Sequence, residues 1–281
     1  VSETVADALR RGAARLAAAG IEAPRREARM LLHHALGLAR RAMLDQSAMV
    51  EPGRFDALLD RRAAREPMAF ILGSQGFWTL DLAVSPAALI PRADTETLIS
   101  AALSAFPGRR RVHRILDLGT GTGALLLAAL TEFTGAWGIG VDISASAAAL
   151  AARNARDNGL AGRAMLLCGI WDAAIAGTFE LVLSNPPYIP SGQIAGLMPE
   201  VAVHEPRLAL DGGPDGLDAY RAIIKALPRL LAPGGAAILE LGHDQAAAVT
   251  ALAVAGGFAR PALREDLGGI ARAMVLRAGD T

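Results

Sequence analysis

The 281-residue chain has little cysteine, few aromatics and no net charge, and each shortage removes a class of protein. Its single cysteine, Cys168, excludes an intramolecular disulfide and a cysteine zinc cluster. It reads as a small buried hydrophobe at a strand end. With aromatics at 4%, the core has to be built from Leu, Ala, Val and Ile. The 28 basic residues meet 28 acidic ones, which argues against a generic polyanion binder, because such proteins carry a strong basic excess. Residues 1–75 hold 12 arginines against nine acids, a mild excess and not a nucleic-acid stripe. Apolar stretches such as Ala124–Leu130 fall far short of the ~20 residues a membrane helix needs. The opening VSETVADALRRG has acids and arginines where a secretory signal needs an apolar run. These features predict a cytoplasmic protein in a reducing compartment, with no membrane association. Hydrophobic residues, by contrast, reach 52%, too many for a disordered chain and enough for a sizeable core in one large or two ordinary domains.

Along the chain, the period of the apolar residues changes once. Val5, Leu9, Ala13 and Leu16 recur at helical spacing up to a stop at Gly20, and further helices open at Pro24 and Pro52. Residues 1–69 thus predict a small helical bundle, in which His33 and His34 have no third partner at metal-ligand spacing. Residues 70–84 show two β-like runs punctuated by Gly73, Ser74 and Gly76, a hairpin linker. From 85 to 281 strands alternate with helices. The predicted strands are Ile115–Leu118, Trp137–Val141, Met165–Cys168, Phe179–Ser184, Ala236–Leu241, Phe258–Arg264 and Ala271–Arg277. The predicted helices include Ala124–Phe133, Ala145–Asn158, Gly216–Leu231 and Gln245–Ala255. Buried runs alternating with helices indicate an α/β fold with a mostly parallel sheet covered on both faces. Two late strands without a helix between them add an antiparallel edge.

The first chemical signal is Asp117-Leu118-Gly119-Thr120-Gly121-Thr122-Gly123, between a strand and a helix. Glycines there permit a tight turn and a close backbone approach to a ligand, and the helix N-terminus adds unpaired N–H groups. With Ala124 the string also fits the dinucleotide pattern, so by itself it does not choose between NAD and another nucleoside cofactor. Asp142, at the end of the next strand and about 20 residues on, is placed to accept from ribose hydroxyls. It is also placed to cap the helix that follows. Asp117 tips the choice of cofactor: an acid before the first glycine would repel a pyrophosphate, but suits the ammonium and sulfonium of S-adenosylmethionine. The competing reading is a strand-end Asp that bonds loop N–H groups.

The sharpest signal is Asn185-Pro186-Pro187-Tyr188, directly after the fourth strand and so beside the glycine loop at the carboxyl edge of the sheet. The prolines fix φ and offer carbonyls without N–H groups. The Asn185 side-chain oxygen is a second acceptor, and Tyr188 offers a flat face. Two fixed acceptors suit a planar –NH2 group, and holding its hydrogens favours pyramidalisation and aims its lone pair at a methyl donor.

Together, DLGTGTG, Asp142 and NPPY resemble class I S-adenosylmethionine-dependent methyltransferases that act on amino nitrogens. The stretches IPRADTETL (Ile90–Leu98), NPPYIP (Asn185–Pro190) and PEVAVHEPRLALDGGPDGLDAYR (Pro199–Arg221) resemble the bacterial enzymes that methylate peptide-chain release factors on the glutamine of their Gly-Gly-Gln motif. The resemblance covers essentially the whole chain. It implies a seven-stranded Rossmann-like methyltransferase sheet with an antiparallel edge over residues 85–281, preceded by a helical substrate-recognition domain. The cofactor would be S-adenosyl-L-methionine, leaving as S-adenosyl-L-homocysteine, with no metal; the partners would be class I release factors, with no direct nucleic-acid binding. Cofactor-binding residues would be Asp117, Gly119, Thr120, Gly121, Thr122, Gly123, Asp142, Trp171 and Asn185. Asn185, Pro186 and Tyr188 would be catalytic, with Pro187 joining them in the substrate site. Trp171 matches a position beside the adenine. Relatives place an acid directly before this residue where the chain has Ile170, so either Asp172 takes that role or backbone and packing hold the adenine. Ala93 replaces a proline of the common IPRPDTE. Arg92 is open to two roles, a contact to cofactor or substrate and a loop-anchoring ion pair. Glu205 and Asp211 are expected to order the loop over the site. The alternatives are a ribosomal-protein glutamine methyltransferase, an adenine-N6 nucleic-acid methyltransferase, a non-catalytic S-adenosylmethionine-binding module and, less favoured, an NAD-dependent dehydrogenase.

Overall fold

The computed structural model describes residues 2–39, 42–259 and 261–279. Two compact units emerge: residues up to Gly73 together with Met198–His204 form one, and Ser74–Leu197 with the residues from Glu205 onward form the other. The first unit opens with β1 (Glu3–Thr4) and α1 (Val5–Ala18), where the Thr4 hydroxyl accepts from the N–H of Asp7. Gly20, at φ 72°, ends the helix as its spacing predicts. α2 (Pro24–Ala35) and, after β2 (Met49–Val50), α3 (Pro52–Ala63) each start on a proline, where the missing N–H would have no helical partner anyway. α4 (Met68–Leu72) follows. Leu16, Leu31, Leu32, Phe55 and Leu59 pack as the core of this unit, each buried Leu contributing about 1.5–3 kcal/mol. The short β1–β2 ladder has no signature in the hydrophobic period.

The second unit begins with the hairpin β3 (Ser74–Phe77) and β4 (Leu80–Ala83). It is shorter than the two β-like runs suggest, because residues 70–72 finish α4. Its turn falls at Trp78, not at a glycine. Trp78 holds φ 56° because Glu96 accepts its backbone N–H at 2.8 Å and Glu132 accepts its indole N–H at 2.9 Å. Then come α5 (Glu96–Ala105), β5 (Arg114–Leu118), α6 (Ala124–Glu132), β6 (Trp137–Asp142), α7 (Ala145–Asp157), β7 (Ala164–Cys168) and β8 (Phe179–Ser184). α8 (Pro199–Ala202) lies in the segment that joins the first unit. α9 (Asp218–Leu230), β9 (Leu231–Glu240), α10 (Ala246–Ala255), β10 (Ala262–Glu265) and β11 (Ala271–Arg277) complete the chain.

The seven strands run β10-β11-β9-β8-β5-β6-β7. From β9 to β7 neighbours are parallel; β11 is antiparallel to both β9 and β10. Successive residues alternate between faces. Ile115, Leu181, Leu183 and Ile238 pack with α5 and α6, and Leu116, Val182, Ala237 and Leu239 with α9 and α10. Gly138 and Gly140 on β6 let α6 and Thr120 approach, since a Cβ would lie 2.5 Å from Leu126 Cδ1 and 2.7 Å from Thr120 Oγ1 respectively.

Three expectations need correction. β9 starts earlier than predicted, because a bulge at Pro233-Gly234-Gly235 shifts its register on β8. The strand expected from Phe258 starts at Ala262: the Phe258 N–H closes the end of α10 on the carbonyl of Ala253, and its ring enters the core. Arg260, within that expected strand, lies outside the described residues. Cys168 is exposed, not buried, because β7 is the open edge of the sheet. Among the described residues, no helix is long and apolar enough to cross a membrane, and no cluster of His, Cys, Asp or Glu suits a metal ion.

Arg62 on α3 is buried between Glu27 on α2, at 2.6 Å, and Glu200 on α8, at 3.0 Å; Arg65 reaches Glu200 at 2.8 Å. The segment that follows the Asn-Pro-Pro-Tyr stretch is thus pinned to the helical unit by shared charge. Arg62→Ala strands the Glu27 carboxylate and leaves Glu200 with Arg65 alone, and is expected to cost about 3 kcal/mol. Urea unfolding of the helical unit checks this; an unchanged midpoint would show that other contacts hold α8.

Candidate active site

In an open α/β sheet, ligands bind where the strand order reverses, beyond the carboxyl ends of the strands. Here β5 lies between β6, which follows it, and β8, which does not. A cavity of about 380 Å³ opens at that edge. It is lined by Asp117, Gly119, Thr120, Gly121, Thr122, Asp142, Trp171, Asn185 and Pro187, and also by Arg92, Thr95 and Ile170. Gly123, Pro186 and Tyr188 are not part of the lining.

The glycine loop is built from both ends. The N–H groups of Gly119 and Thr120 both donate to the carbonyl of Val141 at 2.9 Å, tying the loop to the end of β6. Gly119, Gly121 and Gly123 have φ of 74°, 54° and 83°, in the region where only glycine avoids a steric cost. Gly123 ends the loop as the N-cap of α6 and has no side chain to satisfy the first turn. Asp117 does so from the strand: its Oδ2 accepts from the Leu126 N–H at 3.3 Å and from the Thr120 hydroxyl at 2.6 Å. Its Oδ1 is buried and has no partner. Burial out of water pushes the Asp117 carboxyl up to about 7. The reading of Asp117 as a strand-end acid that orders the loop is thus seen in Oδ2, while Oδ1 is left without a partner in a residue that lines the cavity.

Asp142 braces the loop as well. Its Oδ2 accepts from Gly121 at 2.8 Å and its Oδ1 from Ser144 at 2.9 Å. It is not the helix cap; Ser144 is, accepting from Ala147 at 3.2 Å. Asn154 on α7 is fully buried and ties the Thr122 carbonyl, at 2.9 Å, to both backbone groups of Ala83 on the hairpin. Trp171 holds φ 47° and lines the cavity beside Ile170, whereas Asp172 turns to the guanidinium of Arg229.

The tetrad leaves β8 after Ser184, whose hydroxyl donates to the Leu118 carbonyl at 2.6 Å and so sets Asn185 next to the glycine loop. The Asn185 –NH2 donates to the Thr95 hydroxyl oxygen at 3.3 Å, and the residue lines the cavity. Pro186 is buried. The Tyr188 hydroxyl donates to Glu240 at 3.3 Å. Gln245 donates to the Tyr188 carbonyl at 2.9 Å, while the Tyr220 hydroxyl donates to the Glu240 carbonyl at 2.8 Å. Gly242 allows this approach, since a Cβ there would sit 3.0 Å from the Tyr188 ring. Burial first, and then the charge of Glu240, push the Tyr188 hydroxyl well above its usual range. Burial also raises the Glu240 carboxyl, to about 7, against the hydrogen bonding of Thr95 and the charge of Arg272.

Arg92 pairs with the buried Glu205 while still lining the cavity. Asp211 accepts from the Ser191 hydroxyl at 2.5 Å and the Gly213 N–H at 3.0 Å, which shapes the loop after the tetrad. Thr95, Asn154, Glu240 and Gln245 were not singled out by sequence reasoning. For Glu240 a signal existed: it is the one charge ending the apolar run of β9.

Comparison with known proteins matches residues 7–73 to the PrmC N-terminal domain and residues 95–213 to the Methyltransferase small domain. The chain is similar to a methyltransferase of Pyrococcus furiosus of known structure, at 19% identity and a TM-score of 0.52 over 82% of this chain and 100% of that one, a likeness of fold alone. It is 48% identical over 273 residues to a release factor glutamine methyltransferase of Rhodospirillum rubrum, covering 96% of this chain and 83% of that one. A protein of the same description from Bradyrhizobium diazoefficiens is 44% identical over 283 residues, covering 98% and 95%. Such identity, running from the helical unit through the sheet, places the chain in the release factor glutamine methyltransferase family.

Proposed function

We propose that the protein transfers a methyl group from S-adenosyl-L-methionine to the side-chain amide nitrogen of the glutamine in the Gly-Gly-Gln motif of class I release factors. The observation that carries this reading is the aimed amide of Asn185, whose –NH2 is committed to Thr95 and whose oxygen is left to accept. The names of the relatives support the substrate class. The helical unit would help to hold the release factor, in the cytoplasm and without direct contact to nucleic acid.

The cavity residues fit a cationic nucleoside cofactor. Asp117 Oδ1 is a buried acceptor without a partner, suited to an ammonium, and the positive-φ glycines let the backbone come close. Asp142 keeps lone pairs for ribose hydroxyls beyond the two N–H groups it holds. Ile170 and Trp171 would pack against the adenine; since Asp172 is engaged by Arg229, packing and backbone are the favoured way of holding it. S-adenosylmethionine, when bound, supplies an electrophilic methyl group on a sulfonium.

The protein's own part is positioning. An amide nitrogen is a poor nucleophile because its lone pair is delocalised. The Asn185 oxygen and the Pro186 carbonyl would each accept one of the glutamine –NH2 hydrogens, pull the nitrogen out of conjugation and aim its lone pair. Tyr188 would pack on the glutamine side chain. Bound S-adenosylmethionine would supply the methyl group and leave as S-adenosylhomocysteine, while the residues around the amide hold its nitrogen, whose surplus proton would pass to solvent. Tyr188 stays protonated throughout, because burial and the nearby Glu240 hold its hydroxyl high, so it is not the acceptor.

Asn185→Ala is expected to lower kcat by about a hundredfold or more while leaving cofactor affinity nearly unchanged. Radiolabel transfer to an intact release factor, and to one whose Gly-Gly-Gln glutamine is changed, tests the assignment; equal label on both would overturn it. A second expectation concerns pH. The Asp117 carboxyl of the free protein sits at about 7 and so carries protons below that pH. A cation beside it favours the carboxylate, so binding near pH 6.5 should release protons and tighten as pH rises through 7. Calorimetry in buffers of different ionisation enthalpy reads this directly. Asp117→Asn should abolish the release and weaken binding about tenfold to a hundredfold, as for loss of a charge-assisted hydrogen bond.

A further inference from the structure

One side-chain amide joins the end of the tetrad to two other segments. Gln245 is the residue just before α10. Its –NH2 donates to the Tyr188 carbonyl at 2.9 Å and to the Gly216 carbonyl at 3.3 Å. Its oxygen accepts from the Tyr220 hydroxyl of α9 at 3.4 Å. Two carbonyls at one end and a hydroxyl at the other fix which way this amide points, because only its –NH2 can serve carbonyls. Two glycines leave room for it. A Cβ at Gly216 would lie 2.7 Å from Gln245 Nε2, and one at Gly242 would run into Gln245 Oε1.

Tyr188 is held at each of its ends. Its hydroxyl donates to Glu240 at 3.3 Å, and its ring lies where a Cβ at Gly242 would come within 3.0 Å. Among the described residues, Gln245 is the one donor to its carbonyl. The next residue, Ile189, donates to the Leu210 carbonyl and accepts from the Gly212 N–H, each at 2.9 Å. The chain beyond the tetrad therefore runs beside the loop whose Leu208, Ala209 and Asp211 line the cavity.

We propose that Gln245 is a positioning residue for methyl transfer, acting through Tyr188. By holding the Tyr188 carbonyl it sets the backbone from which the ring leaves, while Glu240 holds the far end of the same side chain. The ring is kept over Gly242 in one orientation, ready to pack on the side chain that carries the accepting amide. Without the Gln245 bond the carbonyl can turn, and the ring loses its setting.

This assignment rests on the glutamine reading of the site, and the experiment separates the two. Gln245→Met keeps the length of the side chain and removes its hydrogen bonds; Gln245→Glu turns an acceptor toward two carbonyls. Rates are referred to the concentration of S-adenosylhomocysteine-binding sites measured by calorimetry, so an unfolded fraction does not count. Gln245→Met should lower kcat per site about tenfold, and Gln245→Glu by more, as misplacement of a reacting group does. The affinity for S-adenosylmethionine should stay within about twofold of the parent, since the glycine loop is untouched. A merely structural role would lower the melting temperature and the number of sites and leave kcat per site unchanged. Tyr188→Ala should itself lower kcat, and adding Gln245→Met to it should cost less than about twofold further, because both act on one ring. If Gln245→Met keeps kcat per site within about twofold of the parent, or if the double variant falls about tenfold below Tyr188→Ala, the positioning role is overturned. The glutamine reading is judged on the parent alone, by label that survives loss of the release-factor glutamine. The kcat comparison is made on whichever substrate the parent labels, so it decides the role of Gln245 in either case.

Discussion

An amide has a donor end and an acceptor end of nearly the same size, and under the proposed reading this site works only if the acceptor end faces the substrate. The bond from Asn185 to Thr95 makes that choice. Much of the surrounding architecture serves it. β8 delivers Asn185 beside the glycine loop, Ser184 ties that strand end to β5, and the 3-10 turn before α5 brings Thr95 from 90 residues away in sequence. Catalysis by positioning asks for this rigidity, because an acceptor that points the wrong way repels the hydrogens it should hold.

The same edge of the sheet gathers acids that are expensive to keep there. Asp117, Glu205 and Glu240 are each buried and each carry one oxygen without a hydrogen-bond partner. Burial raises the carboxyls of all three. A raised folded-state value means the unfolded chain ionises first, so these groups weaken the fold as pH rises above the ordinary carboxylate range, for Asp117 and Glu240 up to about 7. A structure selected for stability alone would pair or remove them. Glu205 is partly repaid by Arg92, Glu240 accepts from the Tyr188 hydroxyl of the tetrad, and under the proposed reading Asp117 would be repaid by a cationic ligand.

What was legible in the sequence was local. The glycine loop, Asp142 and the tetrad are contiguous strings at strand ends, and the alternation of buried runs and helices revealed the layers because each strand is a short run with its own period. The missing parts are contacts across long separations. Glu240 meets Tyr188 over 52 residues and Asn154 meets Ala83 over 71, and no local pattern marks such pairs. Trp78 was hidden for a related reason: its turn conformation depends on Glu96 and Glu132, not on a glycine. The exposure of Cys168 follows from strand order, which crossover connections permute, so a run of apolar residues did not show that β7 is an edge. The Ile170–Asp172 loop was ambiguous until the partner of Asp172 proved to be Arg229.

The most direct test of the account is the structure of a ternary complex with S-adenosylhomocysteine and a release factor carrying an intact Gly-Gly-Gln motif. The account predicts the glutamine side-chain nitrogen at about 2.7–3.2 Å from both the Asn185 oxygen and the Pro186 carbonyl, with the Asn185 –NH2 still on Thr95. A glutamine bound through its carbonyl oxygen, or an Asn185 amide turned with its –NH2 toward the substrate, would contradict it.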